Sequence, residues 1–430
     1  MQSSRRGVHP VDSGDRPGRR PEQPGAGQSL MATPTAADLY RGLFEGDPHE
    51  VYAQLRADSP VRAIVLPTGA TGWLVTRYDD VRQTLADSRL SKGGIVSPVG
   101  YRPPDVSPEI LAGTQRHMLT TDPPEHARLR RLVAAAFTMR RVEKLRPRIQ
   151  EITDELLDAM AGQDWIDLVT ALAFPLPIRV ICQLLGVPAA DQNSFRAWST
   201  SLVAGIDARD ELPGAFANMH GYIRDLIEIK RANPGDDLLS ALLAVSEDGD
   251  RLTRDELTST VFLLLIAGHE TTANLIANGA YLLLSRREQW DLLCVRPDLL
   301  PGAVEELLRY ESPVQCATHR VATTDVVLGG QLIPAGATVL ISLLSANRDE
   351  QHLPGAGHLD VSRAATAHVA FGHGIHFCLG APLARLEGQV AFRSLLARYP
   401  RLRLAEPQTP PVWRPGALMH GLASLPVRVG

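Results

Sequence analysis

The stretch Phe371-Gly372-His373-Gly374-Ile375-His376-Phe377-Cys378-Leu379-Gly380 decides how this chain of 430 residues is interpreted. Its three glycines permit tight turns and let a flat ligand approach the main chain closely. Pro382 follows at a position where the first turn of a helix tolerates proline, and good helix formers come next. We therefore expect the Cys378 sulfur at the N-terminus of a helix, where free N–H groups favour thiolate over thiol.

A thiolate held in such a loop suits a single axial bond to haem iron. The competing metal hypothesis is a zinc site formed by His373, His376 and Cys378. Structural zinc takes four ligands, usually with paired cysteines at short spacing, and the sequence contains no CxxC. A buried free cysteine is the remaining alternative, and it leaves the pattern around Cys378 unexplained.

The stretch resembles the haem-binding loop of the cytochrome P450 monooxygenases, which has the form FGxGxHxCxG, and every fixed position is filled. The resemblance implies the cytochrome P450 fold, with haem b (iron protoporphyrin IX) as cofactor and Cys378 as the ligand of its iron. It also implies that Phe371, Gly372, His376 and Gly380 contact the haem.

The composition is compatible with a large cytoplasmic enzyme. The formal net charge of −4 gives no support for nucleic-acid binding or for attachment to an acidic membrane. The cysteines at 182, 294, 316 and 378 are widely spaced and show no disulfide framework. Length alone suggests two or three domains. The P450 resemblance predicts instead a single compact haem-enclosing unit over residues 31–430, and we expect a monomer.

The first thirty residues are rich in Arg, Pro, Gly, Ser and Gln and contain almost no large apolar side chain. Because such a segment cannot build a core, we interpret residues 1–30 as a disordered N-terminal tail, with Met31 as an alternative start. No apolar region follows the Arg5-Arg6 pair, which argues against an export signal. No run of eighteen apolar residues occurs, so we expect no membrane anchor.

Hydrophobic periodicity predicts a mainly α-helical fold with small β-sheets. Helical patterns dominate from Pro123 to Arg401, and the irregular residues 91–117 are interpreted as a loop over the pocket. The other predicted elements are two short helices, Tyr52–Arg56 and Tyr78–Ala86, and three strands, Gly72–Thr76, Asp325–Leu328 and Thr338–Ile341.

A long helix is predicted from about Arg254 to Arg286. Thr253 and Glu256 have the spacing of a capping box. Residues 261–267 are apolar on every face, as expected of a helix through the protein centre. Polar residues then follow at 268–272, and because buried acid and hydroxyl groups need partners, this change requires a reason.

The polar segment resembles the oxygen-activation motif AGx(D/E)T(T/S) of the P450 family. The resemblance places Thr271 on the distal side of the haem, where its hydroxyl supports bound dioxygen, and gives Glu270 a role in proton delivery. Ala267 and Gly268 would lie against the haem, with Gly268 leaving room beside the iron. Without the cysteine loop, Glu270 and Thr271 would be interpreted as a surface patch near a helix bend. We assign no catalytic role to His269.

Glu306 and Arg309 lie three residues apart, so on a helix they share a face and can hydrogen-bond each other. Exposed pairs of this kind contribute ~0–1 kcal/mol. The pair resembles the buried ExxR pair of the family, which organises the loop leading to the haem cysteine and usually has a third basic partner. The aligned stretch Ala356–Asp360 places His358 where arginine is commoner.

The two propionates of haem need cations or strong hydrogen-bond donors. His126 and Arg130 share a helical face at i and i+4, and they match the HxxxR pair of the family. Arg320 and His376 match two further propionate donors. Each of these residues alone would more often be a solvated surface group, but together they favour haem.

Alignment with the family also predicts an apolar substrate pocket, although each of its members could equally belong to the ordinary core. The predicted pocket residues are Ile95, Val99, Met118, Leu263, Ile266, Cys316, Ala317, Leu418 and Met419.

The phrases Asp122–His126 and Phe137–Arg141 are typical of soluble actinobacterial P450s that tailor macrolides and other polyketides. This similarity implies that one oxygen atom of O2 enters a C–H bond, or a C=C bond by epoxidation, of a bulky hydrophobic substrate. A ferredoxin and its reductase would supply electrons, because no GxGxxG follows a predicted strand. Two alternatives stay open, a haem peroxygenase that uses peroxide and a non-catalytic haem- or ligand-binding protein.

Overall fold

The structure is a computed structural model that describes residues 36–66, 69–93, 106–204, 210–245, 250–364 and 366–429. Helices dominate these residues, and a π-helical turn, Val169–Ala173, leads into the eighth of them. The α-helices are α1 (Ala36–Phe44), α2 (His49–Asp58), α3 (Tyr78–Ala86), α4 (Pro108–Gln115), α5 (Glu125–Ala136), α6 (Met139–Lys144), α7 (Arg146–Met160), α8 (Pro175–Leu185), α9 (Gln192–Ala204), α10 (Leu212–Ala232), α11 (Leu238–Ala244), α12 (Arg254–Ser285), α13 (Arg287–Val295), α14 (Leu300–Tyr310), α15 (Leu343–Ala346) and α16 (Ala381–Arg398).

The strands are short and form small sheets. They are β1 (Val61–Val65), β2 (Thr71–Val75), β3 (Leu90–Ser91), β4 (Trp165–Asp167), β5 (Cys316–Ala322), β6 (Val326–Leu328), β7 (Gln331–Ile333), β8 (Thr338–Ser342), β9 (Arg403–Leu404) and β10 (Pro426–Arg428). The largest sheet has the order β1-β2-β8-β5-β3, and the other two have the orders β4-β10-β9 and β6-β7. The predicted fold class, mainly α with small β-sheets, is confirmed.

Helix α12 runs through the main hydrophobic core, where it packs against α4, α8 and α16. The Glu256 carboxylate accepts the Thr253 N–H at 2.8 Å, and the Thr253 hydroxyl accepts the Glu256 N–H at 3.3 Å. These two bonds confirm the predicted capping box. Among the described helices, α12 alone is long and apolar enough to cross a membrane, and 72% of its apolar window is buried inside the protein. Such burial is expected of a core helix.

Two local predictions are accurate and one is wrong. Helix α3 has the predicted bounds, and β2 lies one residue before the predicted strand. The irregular segment 91–117 contains α4, which starts where Ser107 accepts the Ile110 N–H at 3.3 Å and Pro108 takes the first helical position. The prediction of a loop rests partly on the prolines of this segment, whereas Pro108 starts a helix. The predicted tail 1–30 lies outside the described residues.

A buried carboxylate joins distant parts of the chain. Glu311, directly after α14, accepts hydrogen bonds on Oε1 from His49 Nε2 at 2.7 Å and from His420 Nε2 at 2.8 Å. Arg348 donates to Oε2 at 2.6 Å. Burial opposes ionisation, but His49 and Arg348 outweigh it and hold the pKa of Glu311 well below its ordinary value. Glu311 therefore fixes the start of α2 and the C-terminal segment against the end of α14.

Candidate functional site

The cysteine loop uses glycine for two different reasons. Gly372 and Gly374 each have φ of +74°, in the left-handed region. A Cβ on Gly374 would also lie 3.1 Å from the Leu85 carbonyl oxygen. Gly380 has φ of −80°, so the expectation of a glycine-only turn there is wrong. A Cβ on Gly380 would lie 3.8 Å from the Cys378 sulfur, so glycine keeps the space beside the sulfur open.

Cys378 lies three residues before the start of α16, close to the predicted place. Its N–H donates to the Phe371 carbonyl at 2.9 Å, and its sulfur accepts hydrogen bonds from the amides of Gly380 and Ala381. Burial raises the pKa of the Cys378 thiol, whereas these amides and nearby arginines lower it, and burial is the larger effect. The expectation that the protein alone favours the thiolate is therefore wrong. Protein atoms lie close to Cys378 on several sides and raise its pKa, but its side chain is still accessible from one direction. A metal bound there would favour the thiolate.

Arg385, in the first turns of α16, packs against Phe371 at the start of the cysteine loop. Its guanidinium carbon lies 4.5 Å from the centre of the Phe371 ring, and the guanidinium donates to both oxygens of Glu305 at 2.7 and 2.8 Å. His368 Nε2 lies 3.1 Å from the same carboxylate. Burial opposes ionisation, but the bonds from His368 and Arg385 lower the pKa of Glu305 to about 2. Sequence analysis assigned no role to Glu305 or Arg385, because 80 residues separate them.

The buried nitrogen atoms without a hydrogen-bond partner among the described residues include His126 Nε2, Arg320 Nε and His376 Nε2. The rings of His126 and His376 are 4.4 Å apart. Burial lowers the pKa of His376 to about 3, and Arg320 and His126 add to this effect. A buried donor without an acceptor costs about 1–3 kcal/mol. The group is therefore suited to an anion with several acceptor atoms, such as the paired propionates of haem.

Lys92 belongs to this basic group and was missed by sequence analysis. The residue is 2% exposed, and its Nζ donates to the Thr318 carbonyl at 2.7 Å. Burial, with the help of Arg320, lowers the pKa of Lys92 to about 7. The role of Lys92 could have been predicted only from the pairing of β3 with β5, in which Ser91 lies opposite Val321. That register brings Lys92 beside Arg320.

Helix α12 presents Ala267 and Thr271 on an accessible face, one helical turn apart. The Thr271 hydroxyl donates to the Ala267 carbonyl at 2.9 Å. A Cβ on Gly268 would lie 3.0 Å from the Ile181 side chain, so a larger residue here would require Ile181 of α8 to shift. The predicted room beside the iron at Gly268 stays a prediction.

Glu270 is buried on another face of α12, with its side chain 1% exposed. Arg414 Nη1 lies 2.5 Å from Glu270 Oε1, while the neighbouring His269 Nε2 lies 3.9 Å from Oε2. His269 Nε2 also lies 2.8 Å from the Ser199 hydroxyl of α9, and burial lowers the pKa of His269. His269 thus has a structural partner, which agrees with the absence of an assigned catalytic role.

The ExxR pair is buried as predicted. Arg309 donates to Glu306 from Nε at 2.7 Å and from Nη2 at 2.8 Å, and their side chains are 2% and 3% exposed. The third basic partner is Arg363, whose Nε donates to Glu306 Oε1 at 3.2 Å. The placement of His358 in that role is wrong, because Arg363 makes the bond to Glu306, while His358 accepts hydrogen bonds from Arg309 and Arg363 on its backbone carbonyl. Spacing in this irregular loop is not set by any periodicity, so the alignment missed Arg363.

The structure separates the predicted pocket residues into groups. Cys316 is 3% exposed and packs beside Tyr52 in the core formed with α1 and α2, so its assignment to the pocket is wrong. The reason is strand alternation, which places its neighbour Ala317 on the opposite side of β5. Met118 and Leu263, each 8% exposed, belong to the main core. The partly accessible candidates are Ile266, Ala317, Leu418 and Met419, whereas Ile95 and Val99 lie outside the described residues.

Comparison with known proteins agrees with this geometry. The sequence profile of the family described as Cytochrome P450 matches residues 199–291 and 297–420. The chain belongs to the cytochrome P450 family. The vitamin D(3) 25-hydroxylase of Pseudonocardia autotrophica is 48% identical over 397 residues, covering 91% of this chain and 96% of that protein. The mycinamicin IV hydroxylase/epoxidase of Micromonospora griseorubida is 45% identical over 380 residues, covering 87% and 94%. The tirandamycin C-bound P450 monooxygenase TamI has 48% sequence identity and a TM-score of 0.83, with coverage of 90% of this chain and 99% of TamI.

Membership in the P450 family establishes the class of reaction. The protein is a monooxygenase with haem b as its cofactor, so the predicted fold, enzyme class and cofactor are confirmed. P450s of this type need redox partners and bind hydrophobic substrates. The donor set described above fits haem, because it offers an accessible sulfur at Cys378 and unpartnered nitrogens at His126, Arg320 and His376.

Proposed function

We propose that this P450 inserts one oxygen atom of O2 into a C–H bond, or into a C=C bond by epoxidation, of a bulky hydrophobic metabolite of the macrolide or polyketide class. The names of two relatives, which refer to mycinamicin IV and tirandamycin C, support this substrate class, and a third refers to vitamin D3, which is bulky and hydrophobic. The accessible pocket candidates Ile266, Leu418 and Met419 are apolar and suit such a molecule.

The observation that carries the proposal is the accessible sulfur of Cys378. This sulfur accepts hydrogen bonds from the backbone amides of Gly380 and Ala381. Cys378 would ligate the haem iron, and these amides would stabilise its thiolate. Arg130 donates to the Phe377 carbonyl at 2.7 Å and so would hold the cysteine loop in place. Bound there, haem supplies the activation of O2.

The basic group around the propionates would fix the orientation of the haem. His126, Arg320 and His376 would bind the propionates through the nitrogens that lack partners in the protein, and Lys92 would add a further positive charge. Anionic propionates would favour the charged forms of these residues and reverse the effect of burial on their pKa values. Binding of the cofactor and protonation of its donors would therefore support each other.

Thr271 and Glu270 would manage the protons of the reaction. The overall conversion, R–H + O2 + 2e⁻ + 2H⁺ → R–OH + H2O, consumes two protons. The Thr271 hydroxyl, on the accessible face of α12, would hold and pass on a proton at the site where haem activates O2, giving up its present bond to Ala267. The buried Glu270 carboxylate would accept protons from outside and pass them towards Thr271.

We further propose that the two electrons come from a ferredoxin, which a ferredoxin reductase keeps reduced, and that the enzyme is a cytoplasmic monomer. The sequence supports an external electron source, because no dinucleotide-binding motif follows a predicted strand. Ferredoxin-dependent turnover would also separate a monooxygenase from a peroxygenase, which is active with peroxide alone.

The carbon monoxide difference spectrum of the dithionite-reduced protein tests the proposal most directly. We expect a strongly red-shifted Soret band that is lost in Cys378→Ser. The matched control is Cys294→Ser on α13, which removes another partly accessible thiol and should leave the band unchanged. A band at the position typical of histidine ligation, or no haem at all, would contradict the assignment of Cys378 as the iron ligand.

A further inference from the structure

The C-terminal hairpin, residues 413–422, lies along the same face of α12 that carries Glu270. Its two arms pair through a bridge between Trp413 and Leu422 and through the Arg414 N–H, which donates to the Gly421 carbonyl at 2.9 Å. Asn278 of α12 donates to the His420 carbonyl at 2.9 Å. The hairpin therefore has a fixed position relative to α12.

The Arg414 guanidinium contacts two side chains of α12. Its Nη1 lies 2.5 Å from Glu270 Oε1, and its Nη2 donates to Asn274 Oδ1 at 2.6 Å. Glu270 and Asn274 are four residues apart and so share a helical face. Within the described part of the chain, no other lysine or arginine forms an ion pair with Glu270.

Burial differs sharply across this ion pair. The Glu270 side chain is 1% exposed, whereas that of Arg414 is 38% exposed. A buried carboxylate without a cation is costly, because the low dielectric disfavours the charged form. The hydrogen bond to Asn274 fixes the position of the guanidinium, which contacts Glu270 as an ion pair without forming a hydrogen bond to Oε1. Arg414 thus provides Glu270 with a charge partner of fixed position and with a link to accessible surface.

We propose that Arg414 is a positioning residue for proton delivery, which holds the buried Glu270 carboxylate in place through their ion pair. This inference rests on the proposed role of Glu270 and assigns a part in proton delivery to the C-terminal hairpin. The hairpin also carries Leu418 and Met419, two of the pocket candidates, so one short segment would serve both substrate binding and proton delivery.

Proton delivery can be measured without knowing the substrate. With NADPH, ferredoxin reductase and ferredoxin as electron donors, the substrate-free holoenzyme reduces O2 according to O2 + 2e⁻ + 2H⁺ → H2O2. The rate of NADPH consumption in H2O and in D2O then reports how readily protons reach the site. The variants are Arg414→Gln, Arg414→Lys, Glu270→Gln and the double variant Arg414→Gln/Glu270→Gln. Arg403→Gln, at an exposed arginine on β9, is the matched control.

We expect Arg414→Gln to slow NADPH consumption by about tenfold, and to raise the solvent isotope effect, since general acid–base steps contribute at least this much. Arg414→Lys should restore most of the rate, because it keeps a cation near Glu270. If Arg414 acts through Glu270, the double variant is no slower than Glu270→Gln alone. All variants should retain the carbon monoxide difference spectrum of the wild type, which excludes a general loss of structure.

The outcomes distinguish this inference from the proposed function. Should Glu270→Gln slow consumption while Arg414→Gln does not, Arg414 has no positioning role and the inference is wrong. Should Glu270→Gln have no effect, the proposed function of Glu270 itself fails. Additive effects in the double variant would show that Arg414 acts independently of Glu270, which also contradicts the inference.

Discussion

Replacing Glu306 by glutamine should destabilise this P450 by about 3–5 kcal/mol, the usual cost of leaving one member of a buried ion pair without its partner. Arg309 is 2% exposed, and two of its five N–H groups donate to Glu306. The substitution keeps the shape of the side chain but removes the charge. It also deprives Arg363 of its carboxylate partner. The expected loss lies at the upper end of this range, because two arginines lose one counter-ion.

Urea unfolding of the holoprotein, followed by far-UV circular dichroism and by haem absorbance, measures this loss. The matched control is Glu143→Gln, because Glu143, near the end of α6, and Arg146, at the start of α7, are also an i, i+3 pair, with an N–O distance of 3.0 Å, but are 52% and 49% exposed. That variant should stay within about 0.5 kcal/mol of the wild type. If Glu306→Gln lay within 1 kcal/mol of the Glu143→Gln control, burial would not be what makes the pair important, and the reasoning would be refuted.

Glu305→Gln should cost roughly 2–3 kcal/mol at pH 7, because the pKa of Glu305 is about 2 against an ordinary value of 4.5. Its folded pKa is depressed, so this stabilisation is complete above pH 4.5 and is lost as the pH falls towards 2; urea titrations at several pH values should show the variant and the wild type converging. Gly374→Ala should destabilise by about 1–3 kcal/mol and weaken haem retention, since φ is +74° there, whereas Gly380→Ala, at φ of −80°, should cost less; thermal unfolding compares the two. Thr271→Ala should leave electron consumption intact but release peroxide in place of product, and equal product yield per electron pair would remove Thr271 from its proposed role.

The sequence predicts those parts of the site in which neighbours along the chain are also neighbours in space. The cysteine loop, the start of α16 and the Glu306–Arg309 pair are local patterns, so motif and periodicity were sufficient. The capping box at Thr253 is of the same kind. Even here the electrostatics were not predictable, because the pKa of Cys378 depends on how deeply the tertiary structure buries it.

The site residues that the sequence did not predict are those brought together by the tertiary fold. Lys92 reaches Arg320 only through the pairing of β3 with β5, and Arg363 reaches Glu306 across a loop without periodicity. Cys316 failed as a pocket residue because alternation along β5 turns it away from Ala317. Such relations depend on register and loop path, which local propensity does not specify.

The anchoring of the C-terminal hairpin has a consequence for changing which molecules this enzyme oxidises. Leu418 and Met419 are natural positions to vary in a mutant library, yet His420 beside them bonds Glu311 through its ring and Asn278 through its carbonyl. Substitutions that displaced this turn would also disturb Arg414 at its other end. Libraries that randomise 418 and 419 should therefore keep Arg414, His420 and Gly421 fixed, and variants should be screened for wasted reducing equivalents as well as for new products.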